Sequence, residues 1–306
     1  MTRDRWHFLF LNIGHFLDHL FMLIFATVAA LALSAEWGIS YGALLAYATP
    51  GFFAFGLFAL PAGWLADRWS RDGMMAVFFV GAGLASIATG FAASPLQLAF
   101  GLFVIGIFAA IYHPVGLAIV TGKWRNTGMR IAVNGVWGNL GVACGALLTG
   151  LMIDNAGWRA AFILPGLFSV GLGIAYWLMF REEIRERRVD ESAVGHSTAP
   201  PTTDHKALLF RVSMIVFLTT AVSSVIFQST TFALPKIFDE RLQGLAASWS
   251  AWANDGLPGN ADLATMIGSL AFIVFAVASL AQVVVGSLLD RIGPRQVFIG
   301  VAVLQI

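Results

Sequence analysis

Charge is what this chain has least of. Only 11% of its 306 residues are Asp, Glu, Lys or Arg, against about 25% in soluble domains. Together with 58% hydrophobic residues, that shortage excludes an ordinary water-facing surface and indicates membrane composition. Cysteine is scarcer still: Cys144 stands alone, which excludes an internal disulfide, and its Gly/Ala-rich setting suits a small packing residue. The net charge of +1 selects no class of partner, and nucleic acid is not expected. A cleavable signal sequence is also missing. Met1-Thr2-Arg3-Asp4-Arg5 leads straight into an apolar stretch too long for one, with no small-residue cleavage pattern behind it.

What the chain does have is long apolar runs. A helix needs about 20 mostly apolar residues to cross about 30 Å of hydrocarbon. Such runs are predicted at 6–33, 41–66, 73–93, 96–121, 131–153, 159–180, 212–235 and 263–289. A ninth starts near Val297 and meets the end of the sequence at Ile306, half the length a span needs, so a C-terminally truncated membrane protein is expected. With the N-terminus in the cytoplasm, fifteen of the 18 basic residues share its side, and only Arg159, Lys236 and Arg241 lie opposite. The positive-inside rule therefore predicts that orientation.

Between the sixth and seventh runs, Arg181 to Arg188 reads as a charged helical extension, followed by a Ser/Thr/Pro-containing linker through Thr203. The expected organisation is a six-helix bundle over 1–184, a cytoplasmic linker over 185–210, and an incomplete second bundle over 211–306 holding helices seven, eight and the start of nine. Residues 236–262 read as a second long loop on the outer side, with Trp249 and Trp252 as interfacial anchors.

Apart from Arg159 at the first position of the sixth, Asp18 is the one Asp, Glu, Lys or Arg inside any of the eight complete runs. A carboxylate at mid-membrane depth costs about 2.5–3.5 kcal/mol on insertion scales, which makes an intramembrane ionisable group a functional-site candidate. His15 lies three residues before Asp18 and four before His19, so on a helix it reaches both. Burial and a neighbouring imidazolium act on a carboxyl in opposite directions, so such a set can load and release one proton near neutral pH. The competing reading is a satisfied hydrogen-bond cluster that pins the first helix. His15-x-x-x-His19 also has the spacing of a metal pair, but a metal centre needs further ligands. Of the six histidines, His7, His196 and His205 lie outside the deep membrane, and neither metal nor cofactor is expected.

In the fourth run, Pro114 removes a backbone donor and should kink the helix near Ala110, a candidate hinge. His113 either satisfies that local need or faces a cavity. In the fifth, Gly135, Gly138, Gly141, Gly145 and Thr149 read as a close-packing face, with Asn134 and Asn139 as polar exceptions that could line a cavity. Thr220, Ser224 and Gln228 form a stripe on the seventh that should avoid lipid. No Lys or Arg lies inside a complete run beyond Arg159 at the outer edge of the sixth. A cavity here therefore lacks a permanent cation, which favours neutral, cationic or weakly acidic small molecules over strong polyanions such as sugar phosphates.

Self-similarity crosses the linker. Gly63-Trp64-Leu65-Ala66-Asp67-Arg68-Trp69-Ser70-Arg71 follows the second run, and Gly286-Ser287-Leu288-Leu289-Asp290-Arg291 follows the eighth. Both read Gly-x-Leu-x-Asp-Arg on the same side, at a separation that fits a six-helix repeat plus linker. These residues resemble the loop signature of the major facilitator superfamily, with Ser70 in place of a glycine, Asp72 in place of a basic residue, and Pro294 in place of another in the second copy. Gly14-His15-Phe16-Leu17-Asp18-His19 and Ile111-Tyr112-His113-Pro114-Val115-Gly116 are similar to the fosmidomycin-resistance branch of drug exporters. The likeness stops at Leu102, where many proton-driven exporters carry arginine, and at the fifth run, which lacks their Gly-Pro.

The resemblance implies an all-α integral membrane fold of two six-helix bundles around a cavity that opens alternately to each side. It further implies gating by Gly63, Asp67, Arg68, Arg71, Gly286, Asp290 and Arg291, which pair with neighbouring helix ends, and residence in a bacterial cytoplasmic membrane. The function expected is proton-coupled export of a small organic molecule, with Asp18 as the protonation site and His15, His19, His113, Asn134, Asn139 and Gln228 around the cavity. A passive facilitator or importer of the same fold is the alternative. An integral-membrane enzyme is the more distant one, since no nucleophile or metal constellation supports it.

Overall fold

The computed structural model describes residues 2–124, 127–190, 203–256 and 262–304, with the backbone alone at some positions of the later helices. Among the described residues there are no strands, and eight helical stretches are long and apolar enough to cross a membrane. Each corresponds to one of the runs predicted at 6–33 through 263–289. Hydropathy finds them because in hydrocarbon every backbone N–H and C=O must be bonded within its own segment, and a continuous helix does this.

The first span is α1 (Arg3–Val28), which passes through a π-helical turn at Ala29–Leu33 into α2 (Ser34–Trp37). Ser34 Oγ donates to the Ala29 carbonyl at 2.9 Å inside that turn, supplying a partner where the helical ladder is disturbed. The second span is α3 (Tyr41–Ala46) with α4 (Thr49–Arg68), and the third is α5 (Arg71–Thr89). Ser70, the departure from the signature glycine, caps α5 by accepting from the Gly73 amide at 3.0 Å.

The fourth span is broken: α6 (Pro95–Ala109) stops at a turn over Ala110 and Ile111, and α7 (Tyr112–Lys123) resumes. Pro114 has no amide to give the Ala110 carbonyl, so the expected kink appears as a full interruption. α8 (Thr127–Ala156) and α9 (Trp158–Asp190) complete six spans. α10 (Thr203–Arg241), α11 (Gln243–Gly256), α12 (Leu263–Ile292) and α13 (Pro294–Leu304) follow.

One expectation changes. The stretch 236–262 is not one long loop: α10 runs on to Arg241, and α11 is a helix whose Ala246 and Ala253 pack with Met266 and Ile267 of α12. Trp249 packs against this small cluster, while Trp252 stays exposed. Within the segment expected as a linker over 185–210, α9 continues to Asp190, through the charged extension Arg181–Arg188, and α10 begins at Thr203; residues 191–202 lie outside the described residues.

α1 and α5 are the most enclosed of the eight spans among the described residues. Leu11, Leu17, Leu20, Phe21, Ile24 and Phe25 are all buried, and around them the core draws on α5, α7 and α9 through Phe78, Phe79, Tyr112, Tyr176 and Phe180. By contrast Leu60, Phe91, Phe100, Leu167 and Phe210 are exposed, as lipid-facing side chains of a membrane bundle should be. Enclosure of α1 on all sides is what places Asp18, at 1% exposure, in the interior.

Candidate functional site

Glycine brings α8 against α1. A β-carbon at Gly141 would sit 2.2 Å from the Phe16 carbonyl oxygen, and one at Gly138 would sit 2.5 Å from His15 Nε2. The small-residue face of the fifth span therefore does more than pack, since it makes the slot that holds an imidazole.

His15 is fixed from two sides. Its ring stacks on Tyr112 with centroids 4.9 Å apart, and its Nδ1 lies 2.7 Å from the Asn134 backbone oxygen. A carbonyl only accepts, so Nδ1 carries the hydrogen and the neutral ring presents a lone pair at Nε2. That lone pair faces His19 Nε2 at 3.2 Å. One turn away on the interrupted fourth span, His113 meets the edges of both rings, at centroid distances of 5.3 and 5.5 Å.

Asp18 completes the group. His113 Nε2 is 3.3 Å from Asp18 Oδ2, within ion-pair range. The approach lies outside hydrogen-bond geometry, however, and both carboxylate oxygens are buried without a hydrogen-bond partner. The break at Ala110 and Ile111 is what turns His113 toward Asp18, so the sequence-predicted hinge and the sequence-predicted acid belong to one construction. Gly63 of α4 lies under the hinge, with space for a β-carbon only at 3.4 Å from Pro114 Cβ.

Asp18, His19 and His113 border a cavity of about 610 Å³. Its other walls are Phe52 and Phe55 of α4, Thr219, Ser223, Ser224, Phe227 and Gln228 of α10, and Phe298 of α13. Ser224 and Gln228 of the polar stripe are thus in its lining; the side chain of Thr220 lies outside the described residues. A larger hollow of about 770 Å³ lies between α4, α5 and α6, but its lining is apolar apart from Gln97 and offers no group for chemistry.

Asn134 does not line the cavity. It is fully buried between helices, where its Nδ2 donates to Asn12 Oδ1 at 3.0 Å and to the Tyr112 hydroxyl at 2.9 Å. Tyr112 in turn donates to the Leu11 carbonyl at 2.7 Å. A primary amide with no cavity beside it is driven to this inter-helix network because an unpaired amide in hydrocarbon is costly. Asn139 is half-buried and is absent from the cavity wall.

At the end of the bundle that carries the N-terminus, Asp67 accepts from Arg71 Nη2 at 2.8 Å and Nε at 3.2 Å. Arg68 lies over the Trp64 ring at 4.5 Å. The expected pairing with other helix ends is thus replaced, in this state, by an ion pair across the loop's own turn, because residues four apart meet there. Arg291 is exposed, and the surroundings of Gly286 and the side chain of Asp290 lie outside the described residues.

One cluster escaped sequence reasoning. Asp72, which departs from the signature, is 4% exposed. Its carboxylate lies 2.8 Å from His7 Nε2 and accepts from the Tyr176 hydroxyl at 2.7 Å. Lys123 Nζ lies 2.8 Å from His7 Nδ1. His7, expected outside the deep membrane, is 2% exposed. The departure of Asp72 from the basic pattern was the available signal.

At the far end, α8 crosses α12 tightly enough that a β-carbon at Gly150 would meet the Ala264 carbonyl oxygen at 2.3 Å. Asp154 Oδ2 there accepts from the Thr265 amide at 2.7 Å and from its hydroxyl at 2.6 Å. Tyr41 donates to the Phe232 carbonyl, and the Phe52 and Phe232 rings meet edge to face at 5.0 Å. These contacts join α8 to α12, and α3 and α4 to α10, at that end.

Comparison with known proteins agrees with this architecture. Residues 11–305 match the profile of the family described as Major Facilitator Superfamily. A gallate transporter from Pseudomonas putida is 27% identical over 58% of this chain and 44% of its own length. The multidrug resistance protein MdtG of Yersinia enterocolitica is 24% identical over 83% of this chain and 57% of its own. The chain thus spans about half the length of these relatives. Among solved structures, a bacterial homologue of the human lysosomal transporter Spinster, inward-facing and occupied, superposes with a TM-score of 0.65 at 15% identity, covering 96% of this chain and 63% of that one.

Proposed function

We propose that this chain, which belongs to the Major Facilitator Superfamily and is a transporter rather than an enzyme, moves a small organic molecule in exchange for a proton bound at Asp18. The observation that carries the reading is the carboxylate itself, nearly solvent-free, with neither oxygen hydrogen-bonded, His113 at ion-pair distance and two further imidazoles beside it. A fixed charge left this way is strongly unfavourable. A proton that comes and goes removes the charge in one half of the cycle, and the energy difference between the two forms can bias one conformation over the other.

The closed far end is read as the periplasmic side and the structure as the inward-facing state, with Asp18 and His113 at the cavity wall awaiting substrate or proton. Phenyl rings from three helices and the hydroxyls of α10 suit a compact, partly aromatic molecule of low charge. Export is the direction proposed, in keeping with the likeness to a multidrug resistance protein. Uptake of a small aromatic acid is the second reading, favoured by the likeness to a gallate transporter and by imidazoles able to hold a carboxylate.

The test is a proton-flux measurement in everted vesicles with an acid interior, comparing wild type with Asp18→Asn against a panel of drugs and aromatic acids. A compound that collapses the gradient through wild type alone supports antiport. Proton coupling that survives in Asp18→Asn overturns the role given to the carboxylate, and accumulation with the proton rather than against it selects uptake.

A further inference from the structure

The sequence offers two histidines at metal-pair spacing and no third ligand. The fold supplies one. The ligand nitrogens of His15, His19 and His113 lie within 4.8 Å of one another, and the unpartnered oxygens of Asp18 adjoin them.

We propose that His15, His19, His113 and Asp18 form a binding site for a divalent transition-metal ion, with zinc the best match. Three imidazoles and one carboxylate are a nitrogen/oxygen donor set of the kind zinc takes. Zinc–nitrogen bonds of about 2.0–2.1 Å put tetrahedral ligand atoms about 3.3–3.4 Å apart. Two of the edges already have nearly that length: 3.2 Å between His15 and His19, and 3.3 Å between His113 and Asp18. The other edges close by an inward swing of His113, which is 39% exposed and borders open cavity, together with rotation of the Asp18 carboxylate toward the three imidazoles, whose ligand nitrogens lie within 4.8 Å of one another without it.

The second shell is present as well. Metal-bound histidines commonly donate their other nitrogen to a carbonyl, which fixes tautomer and ring direction. His15 does so to Asn134 at 2.7 Å. The glycine slot at Gly138 and the stacking on Tyr112 hold its Nε2 lone pair toward the cluster. On binding, the hydrogen of His19 moves from Nε2 to Nδ1 of the same ring by exchange with cavity water, so both imidazoles stay neutral and both Nε2 lone pairs turn to the metal. The ion occupies the place given above to the proton, so the two exclude each other, yet the metal site stands on geometry that does not depend on proton coupling.

The experiment is a titration of the full-length protein, purified without a polyhistidine tag, with Co²⁺ and then Zn²⁺. Expected are one equivalent bound with the visible absorption of four-coordinate Co²⁺, and loss of that absorption when zinc is added. His19→Gln and His113→Gln should each weaken binding by at least tenfold, about the loss seen when even an outer-shell partner is removed; His7→Gln should not. X-ray absorption on the zinc-loaded wild type should count at least two imidazoles. No stoichiometric binding, unchanged affinity in both cluster variants, or binding lost only in His7→Gln overturns the site. Proton flux measured with a chelator present separates the two readings. Coupling without metal binding sinks this one alone, and metal binding with coupling indifferent to Asp18→Asn sinks the other.

Discussion

At the scale of single residues, the site is held by groups that do not themselves titrate. Gly138 leaves the slot, Tyr112 stacks, and the Asn134 carbonyl orients. Gly138→Ala puts a methyl group where His15 Nε2 now lies, so the ring must leave the carbonyl. Overpacking of this kind costs about 1–3 kcal/mol. Thermal unfolding in detergent should show that loss in wild type but not in a His15→Ala background, since the clash needs both partners; an equal loss in both backgrounds refutes the slot. Asp18→Asn should move stability the other way. An unsatisfied buried polar group costs about 1–3 kcal/mol, more when charged, so replacing the carboxylate with a neutral amide should raise the unfolding temperature while coupling is lost. A lowered unfolding temperature would mean that the carboxylate is compensated after all.

At the scale of elements, the interrupted fourth span matters most. Pro114→Ala returns an amide to the Ala110 carbonyl and lets α6 and α7 join, a change worth up to about 3 kcal/mol in a helix interior. The same change should turn His113 away from Asp18. The expected outcome is a more heat-resistant protein with slower transport, seen by unfolding and flux on one preparation; faster transport would remove the hinge role. This element also shows what a sequence can tell. The break at Ala110 follows from proline chemistry and was legible, as were the eight spans, because hydrocarbon admits few alternatives to a long apolar helix. α11 was not legible: Gln243–Gly256 mixes Trp, Ser, Ala and Asn with no long apolar run, and its helical state rests on packing against α12. Nor was the fate of Asn134 and His7, since each meets partners from distant segments: Asn134 reaches Asn12, and His7 reaches Asp72 and Tyr176. Residue type marked them as polar exceptions, but the direction of a helix face is set by tertiary contacts.

At the scale of the whole molecule, the two halves meet through an unusual cap. The N-cap position of α12, Asp262, makes no side-chain cap bond; the first-turn amide of Thr265 is served instead by Asp154 of α8. A carboxylate at a helix N-terminus is favourable on both hydrogen-bond and dipole grounds, and here it comes from the other half. The cap can exist only while the far end is closed, so it stabilises one conformation and contributes nothing to the other. Losing a cap costs about 0.5–2 kcal/mol, and a free-energy change of 1.4 kcal/mol shifts a two-state ratio about tenfold. Asp154→Ala should therefore move the population toward opening at that end by roughly threefold to thirtyfold, without touching Asp18. Spin labels on the exposed ends of α8 and α12 report the distance directly, and Thr265→Val, which keeps the amide but removes the hydroxyl, should give a smaller shift of the same sign. An unchanged distance distribution in Asp154→Ala would show that the glycine-lined crossing alone keeps the far end closed.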